Sequence, residues 1–158
     1  VKLVGVDPSS SCSGVAYMDR KGLLLTDTWK RPSSGSAPER LYQFHEWLIG
    51  WLRRVGVPDM AAVEFLSVER NAQSTRVVSH YQSAAVLACK RLGVVVVEGR
   101  VSTARKIALG SGALSKRDAF DAVKRLYPNH DFGRFDKGGS DRADAVVMAL
   151  AARTLAET

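Results

Sequence analysis

The stretch GGSDRADAVVMALAA near the end of the chain constrains the fold more than any other segment. After Asp144 it carries no charge until Arg153, and its composition predicts a helix from Asp141 to Leu155. A helix without a polar face over most of its length is covered on all sides, so it is expected to lie against a sheet. Two aspartates, Asp141 and Asp144, stand three apart at its start and project from nearly the same face. Asp144 is thereby forced toward the core, where an uncompensated carboxylate is costly.

Two further carboxylates stand in equally apolar settings. Asp7 ends LVGVD and Glu64 ends AAVE, both reading as buried strands. Around them, Lys2 to Val6, Gly14 to Met18 and Leu23 to Lys30 read as three strands, the last two joined by a turn at DRKG. Pro38 suits the first turn of a helix running to about Arg54, with Leu41, Phe44, Leu48, Trp51 and Leu52 on its core face. A strand is expected at Met60 to Phe65, then a long amphipathic helix at Ala72 to Leu92. The VVVV run at 94–97 predicts a strand buried on both faces. Ser115 and Asp118 resemble a capping box that opens a helix to Tyr127. A hairpin-rich start followed by alternating elements implies a mixed sheet covered by helices, and 158 residues suit one domain.

Each acid has a plain reading: a turn residue for Asp7, an edge-strand charge for Glu64, a helix-dipole partner for Asp141, an ion-pair member for Asp144. Together they describe a cluster that repels itself. Two like charges about 4 Å apart cost roughly 4 kcal/mol at an effective dielectric of about 20. A divalent cation relieves that repulsion, and an all-oxygen ligand set selects magnesium or manganese over zinc. Such a site suits phosphoryl chemistry, with paired ions assisting an in-line displacement.

The segments VGVDPSSSCSG, AAVEFLSVERNAQS, ALGSGALSK and SDRADAVVMALA, in this order and spacing, resemble the successive motifs of RuvC-type Holliday junction resolvases within the ribonuclease H-like nucleases. The resemblance runs over most of the chain. It implies a ribonuclease H-like α/β fold over residues 1–158, with a five-stranded mixed sheet flanked by helices on both faces. It further implies a homodimer that cuts four-way DNA junctions with two magnesium ions per site, manganese being an acceptable substitute. A branch-migration motor is an implied partner and the cytoplasm the implied compartment. Asp7, Glu64, Asp141 and Asp144 match the family's metal-binding acids. Lys116 matches a lysine near the scissile phosphate, although it reads equally as a surface residue at a helix start.

The family commonly places an aromatic residue a few positions past the strand glutamate, to disturb stacking at the junction centre. Three residues past Glu64 this chain has Ser67, while Phe65 follows the acid directly: strand alternation puts it in the core, and a loop that begins early would let it take the aromatic role. Arg70, Asn71, Gln73 and Arg76 are candidates for contacting DNA, or else the polar face of a helix start. The small residues Ser9, Ser10, Ser11, Ser13 and Gly14 suit a turn that a phosphodiester backbone approaches closely.

A net charge of +7 and a pI near 9.7 favour an anionic partner, nucleic acid first. Between Arg100 and Arg142 ten basic residues face five acidic ones. Arg105, Lys106, Lys116, Arg134 and Lys137 are the expected phosphate contacts. No apolar run approaches the roughly 18 residues of a membrane span, so a soluble protein is expected. Cys12 and Cys89, far apart and without a CxxC motif, are expected to be free thiols. Two rival readings share the sequence: a ribonuclease H-like nuclease acting on RNA or other branched DNA, and a non-catalytic junction-binding dimer.

Overall fold

The computed structural model describes residues 1–65 and 71–158. Five strands form one sheet in the order β3-β2-β1-β4-β5: β1 Leu3–Asp7, β2 Cys12–Met18, β3 Leu24–Lys30, β4 Met60–Glu64 and β5 Val95–Gly99. The first three make an antiparallel meander, while β4 and β5 run parallel to β1. Helices α1 (Ala37–Val55) and α2 (Ala72–Arg91) cover one face; α3 (Val101–Leu109), α4 (Lys116–Leu126) and α5 (Gly139–Glu157) cover the other.

Strand alternation divides the core. Val4, Val6, Val15 and Val63 face α1 and α2, where Trp29, Phe44 and Tyr81 form an aromatic knot with ring centroids 5.3 to 5.7 Å apart. Leu3, Ala16 and Ala62 face α5, whose residues from Ala143 to Ala149 are all buried. Helix α1 begins where sequence places it, because Ser36 and Glu39 cap its first turn reciprocally and Pro38 needs no helical donor there. Tyr81, Ala84, Ala85 and Ala88 of α2 are buried within the chain, which makes them core residues.

Three sequence expectations need correction. Helix α3 falls in a segment with no expected element; it is only nine residues long and Arg100 offers no side-chain cap. Strand β5 is an edge, so its β-branched run is not sealed on both faces and Val95 is exposed. Phe65, expected in the core, follows the end of β4 and stands 45% exposed.

The sheet-to-α5 contact is closest at two glycines. A Cβ at Gly5 would collide with the carbonyl oxygen of Ala145 and lie 2.6 Å from the amide nitrogen of Ala149. A Cβ at Gly14 would collide with the backbone of Asp141. Both obstacles are main chain, so neither side can yield by changing a rotamer. We expect Gly5→Ala to destabilise the protein by about 3 kcal/mol or more in urea unfolding, and an effect below about 1 kcal/mol would show that α5 is free to shift.

Candidate active site

Parallel pairing of β1 with β4 puts Asp7 and Glu64 one step beyond the Val6–Val63 pair, at the same end of neighbouring strands. Asp7 is 7% exposed and its carboxyl hydrogen-bonds Glu64. Burial, then that bond and the charge of Glu64, raise its pKa well above the usual carboxylate range. The turn that follows is fixed by its own serines: Ser9 N donates to Ser13 Oγ at 2.8 Å, and Ser13 Oγ donates to the carbonyl of Ser9 at 2.8 Å.

Helix α5 brings the other two acids, but they meet different partners. Asp144 is buried and receives Arg105 from α3 through Nη2 at 2.8 and 3.0 Å and Nε at 3.3 Å. Arg105 also donates from Nη1 to the carbonyl of Leu114 at 3.1 Å, tying the loop before α4 to α5. Asp141 is half-buried and accepts from the thiol of Cys12. Burial raises its pKa, against the lowering effect of Lys116. Burial, reinforced by Asp141, pushes the Cys12 thiol up to about 12, so it stays a neutral donor.

Lys116, the first residue of α4, is within electrostatic reach of all four acids. Partial desolvation opposes its charge, but Asp7, Asp144, Asp141 and Glu64 together outweigh it and hold the ammonium above the ordinary lysine value. Ser115 fixes the helix start by accepting from Asp118 N at 3.1 Å.

A divalent cation can be tested against this arrangement. Among the described residues no three His, Cys, Asp or Glu side chains are grouped closely enough to enclose an ion. Asp144 is engaged by Arg105. Asp7 and Glu64, in contrast, keep a mutual repulsion that Lys116 opposes, and with Asp141 they offer hard oxygen donors beside that lysine. That donor set fits magnesium or manganese.

The remaining candidates divide by exposure. Ser11, Lys116 and Lys137 line a cleft of about 470 Å³ beside Asp141, joined by Lys30 and Arg31, which sequence reasoning did not select. The adjacent basic pair ending β3 was the available signal. Lys106, Gln73, Arg76 and Arg134 are exposed, and Arg134 pairs with Asp136 at 3.4 Å. Ser10 is half-buried beside the start of α2. Asn71 caps that helix, accepting from Ser74 N at 2.8 Å. Arg105 is not the surface phosphate contact expected, being 7% exposed and committed to Asp144. Arg70 and Ser67 lie outside the described residues. Both cysteines are free thiols. No helix among the described residues is long and apolar enough to cross a membrane.

The strand order, with acids ending its two central parallel strands and two more on the helix that crosses them, defines a nuclease domain of the ribonuclease H-like class. The sequence profile of crossover junction endodeoxyribonuclease RuvC matches residues 3–152, and the chain belongs to that family. Proteins of that description from Gluconacetobacter diazotrophicus and Magnetococcus marinus are 30% and 27% identical. Each match covers 95% of this chain, and 88% and 82% of the respective relative. Thermus thermophilus RuvC superposes with a TM-score of 0.77 at 22% identity, covering 99% of this chain and 96% of that one. The same protein in complex with Holliday junction substrate gives 0.80 at 21% identity, covering 99% and 95%. The yeast mitochondrial Holliday junction resolvase Ydc2 gives 0.65 at 13%, covering 94% and 75%. These structural likenesses establish the shared fold. Family membership makes the chain a crossover junction endodeoxyribonuclease, of a family that is generally metal-dependent.

Two outcomes test the electrostatics. Arg105→Met leaves Asp144 buried and unpaired, so it is expected to cost about 3 to 5 kcal/mol in urea unfolding; adding Asp144→Leu should return much of that loss. A single-variant cost near zero would mean that the pair is not sealed from water. In metal-free buffer, Asp7→Asn should be increasingly more stable than wild type as pH rises. The raised carboxyl is protonated in both folded and unfolded chains below the ordinary carboxylate range, where it contributes no difference. The wild type then loses stability as pH climbs through the folded pKa, a loss the amide does not suffer. Melting curves that stay parallel from acid to neutral pH would contradict this.

Proposed function

We propose that residues 1–158 form one nuclease domain that resolves four-way DNA junctions by paired phosphodiester hydrolysis in a homodimer. The observation that carries the proposal is the placement of Lys116 before four acids at the mouth of two parallel strands. Asp7, Glu64 and Asp141 are the proposed holders of two magnesium ions, with Asp144 held in position by Arg105. The ions, when bound, supply an activated water and charge relief at the leaving oxygen. The chain supplies the rest. Lys116 stabilises the developing negative charge on the phosphate, as its raised pKa keeps it cationic. The rigid serine turn after Asp7 lets the backbone approach, and Lys137, Arg31 and Lys30 neutralise neighbouring phosphates in the cleft.

A four-way junction has approximate two-fold symmetry, so an isologous dimer offers one site to each of two opposed strands. Exposed Phe65, next to Glu64, is the proposed aromatic residue at the junction centre, in place of the family's more distant one. The proposed compartment is the cytoplasm, with a branch-migration motor as partner.

A labelled four-way junction with magnesium tests the reading. Wild type is expected to make symmetric paired nicks bearing 5′-phosphate and 3′-hydroxyl ends. Asp7→Asn should cut at least about a hundredfold more slowly while binding the junction as before, and Lys116→Ala should lose about a hundredfold in kcat. Equal cutting of linear duplex or of an RNA–DNA hybrid would favour a general ribonuclease H-like nuclease. Binding without cutting in wild type would leave a non-catalytic junction-binding protein.

A further inference from the structure

The exposed side of α4 carries two cations that neither the acid cluster nor the cleft beside it uses. Arg117 follows Lys116, and its guanidinium carbon lies 5.1 Å from the ring centroid of Phe135 and 5.8 Å from that of Phe120. Further along the helix, Lys124 Nζ lies 5.2 Å from the Phe120 centroid. The two rings meet edge to face with centroids 5.4 Å apart, which joins α4 to the short 3-10 turn Phe135–Lys137. Phe120 is buried and Phe135 half-buried, while both cations are exposed. Asp121 stands 3.6 Å from Arg117 Nε, and among the described residues no other acid pairs with Arg117 or Lys124.

These distances are those of cation–π contacts, which restrain a side chain without cancelling its charge. An exposed ion pair one turn apart contributes little, so the rings are the stronger restraint on Arg117. A guanidinium set against aromatic rings still offers N–H edges that match a phosphate in bidentate fashion. The patch also continues the cleft beside Asp141, since Phe135 and Lys116 line that cleft. Arg117 and Lys124 are seven residues apart. Seven residues of helix rise about 10 Å, the axial span of about three phosphates on one strand of a duplex.

We infer that Arg117 and Lys124 hold phosphates of the duplex arm that leaves the cleft, with Phe120 and Phe135 fixing both cations before the DNA arrives. The inference rests on the junction-cutting reading and deepens it. Arg117 meets the arm and not the reacting phosphate, so it is a positioning residue. Because Lys116 precedes it directly, a phosphate held at Arg117 sets how far the strand advances into the cleft. Restraint by the rings reduces the entropy lost when long side chains are immobilised on DNA.

The test titrates the protein with a labelled four-way junction over a range of KCl concentrations, in EDTA to prevent cutting. Each phosphate contact contributes about 0.9 to the slope of log affinity against log salt, so in a dimer Arg117→Gln and Lys124→Gln should each lower the slope by about 1.8. Arg117→Lys should keep the slope yet bind several-fold more weakly, because an ammonium has no plane to set against the rings. Phe135→Leu should behave in the same way, with melting curves verifying its fold. A methylphosphonate linkage, placed in turn at each phosphate of the arms, removes one charge. One such linkage should weaken binding by wild type several-fold and leave Arg117→Gln unaffected, an effect that a merely structural role would not produce. Suppose instead that either glutamine variant keeps the wild-type slope, or that no linkage is silent in Arg117→Gln, while wild type binds junctions and nicks them in magnesium. The phosphate contacts then fail alone. Wild-type affinity in both Arg117→Lys and Phe135→Leu would overturn the role given to the rings. Absence of junction binding by wild type would overturn this inference and the junction-cutting reading together.

Discussion

The structure depends on how closely one helix lies on two strands. Gly5 and Gly14 remove the side chains that would keep α5 at ordinary distance from β1 and β2, and the backbone of α5 occupies that space. Because the contact is main chain to main chain, the rotation and translation of α5 are set tightly. Asp141 sits at the Gly14 contact and Asp144 one turn further in, so the packing that buries Val146 and Met148 also fixes where two carboxylates stand relative to Asp7 and Glu64. Core packing and site geometry are one constraint.

The four acids are compensated in two ways. Asp144, the deepest on the helix, has a buried bidentate arginine, and that arginine also holds the carbonyl of Leu114, two residues before Lys116. Among the described residues, Asp7 faces Glu64, Asp144 and a lysine that acts on all four acids. Through Arg105, Asp144 links α3, the loop before α4 and α5.

Much of this was legible in the chain. The charge-free run after Asp144 specified a covered helix, and apolar strands ending in Asp7 and Glu64 marked one end of the sheet before any topology was known. The misses have definite causes. Helix α3 is short and lacks a side-chain cap, so propensity alone did not separate it from loop. Arg105 reads as a surface cation from its charge and its neighbour Lys106. Yet once α3 is recognised, Arg105 falls beside Ala104 and Ala108, which pack in the same core cluster as α5. Strand β5 has the composition of a central strand and the position of an edge, and position follows from pairing partners that no local pattern reveals. Lys30 and Arg31 meet Lys116 and Lys137 only because β3 ends beside the loop that leads into α5.

A ribonuclease H-like scaffold thus holds four acids and Lys116 together at one end of its sheet, bordered by a basic cleft. The central claim is that Asp7 and Glu64, with Asp141, take up divalent ions in front of Lys116. Anomalous diffraction from crystals soaked in manganese tests this most directly. The account expects density between Asp7 and Glu64 on the side facing Lys116, absent from Asp7→Asn crystals. Density confined to other carboxylates, or an Asp7–Glu64 hydrogen bond that persists unchanged at saturating manganese, would contradict it.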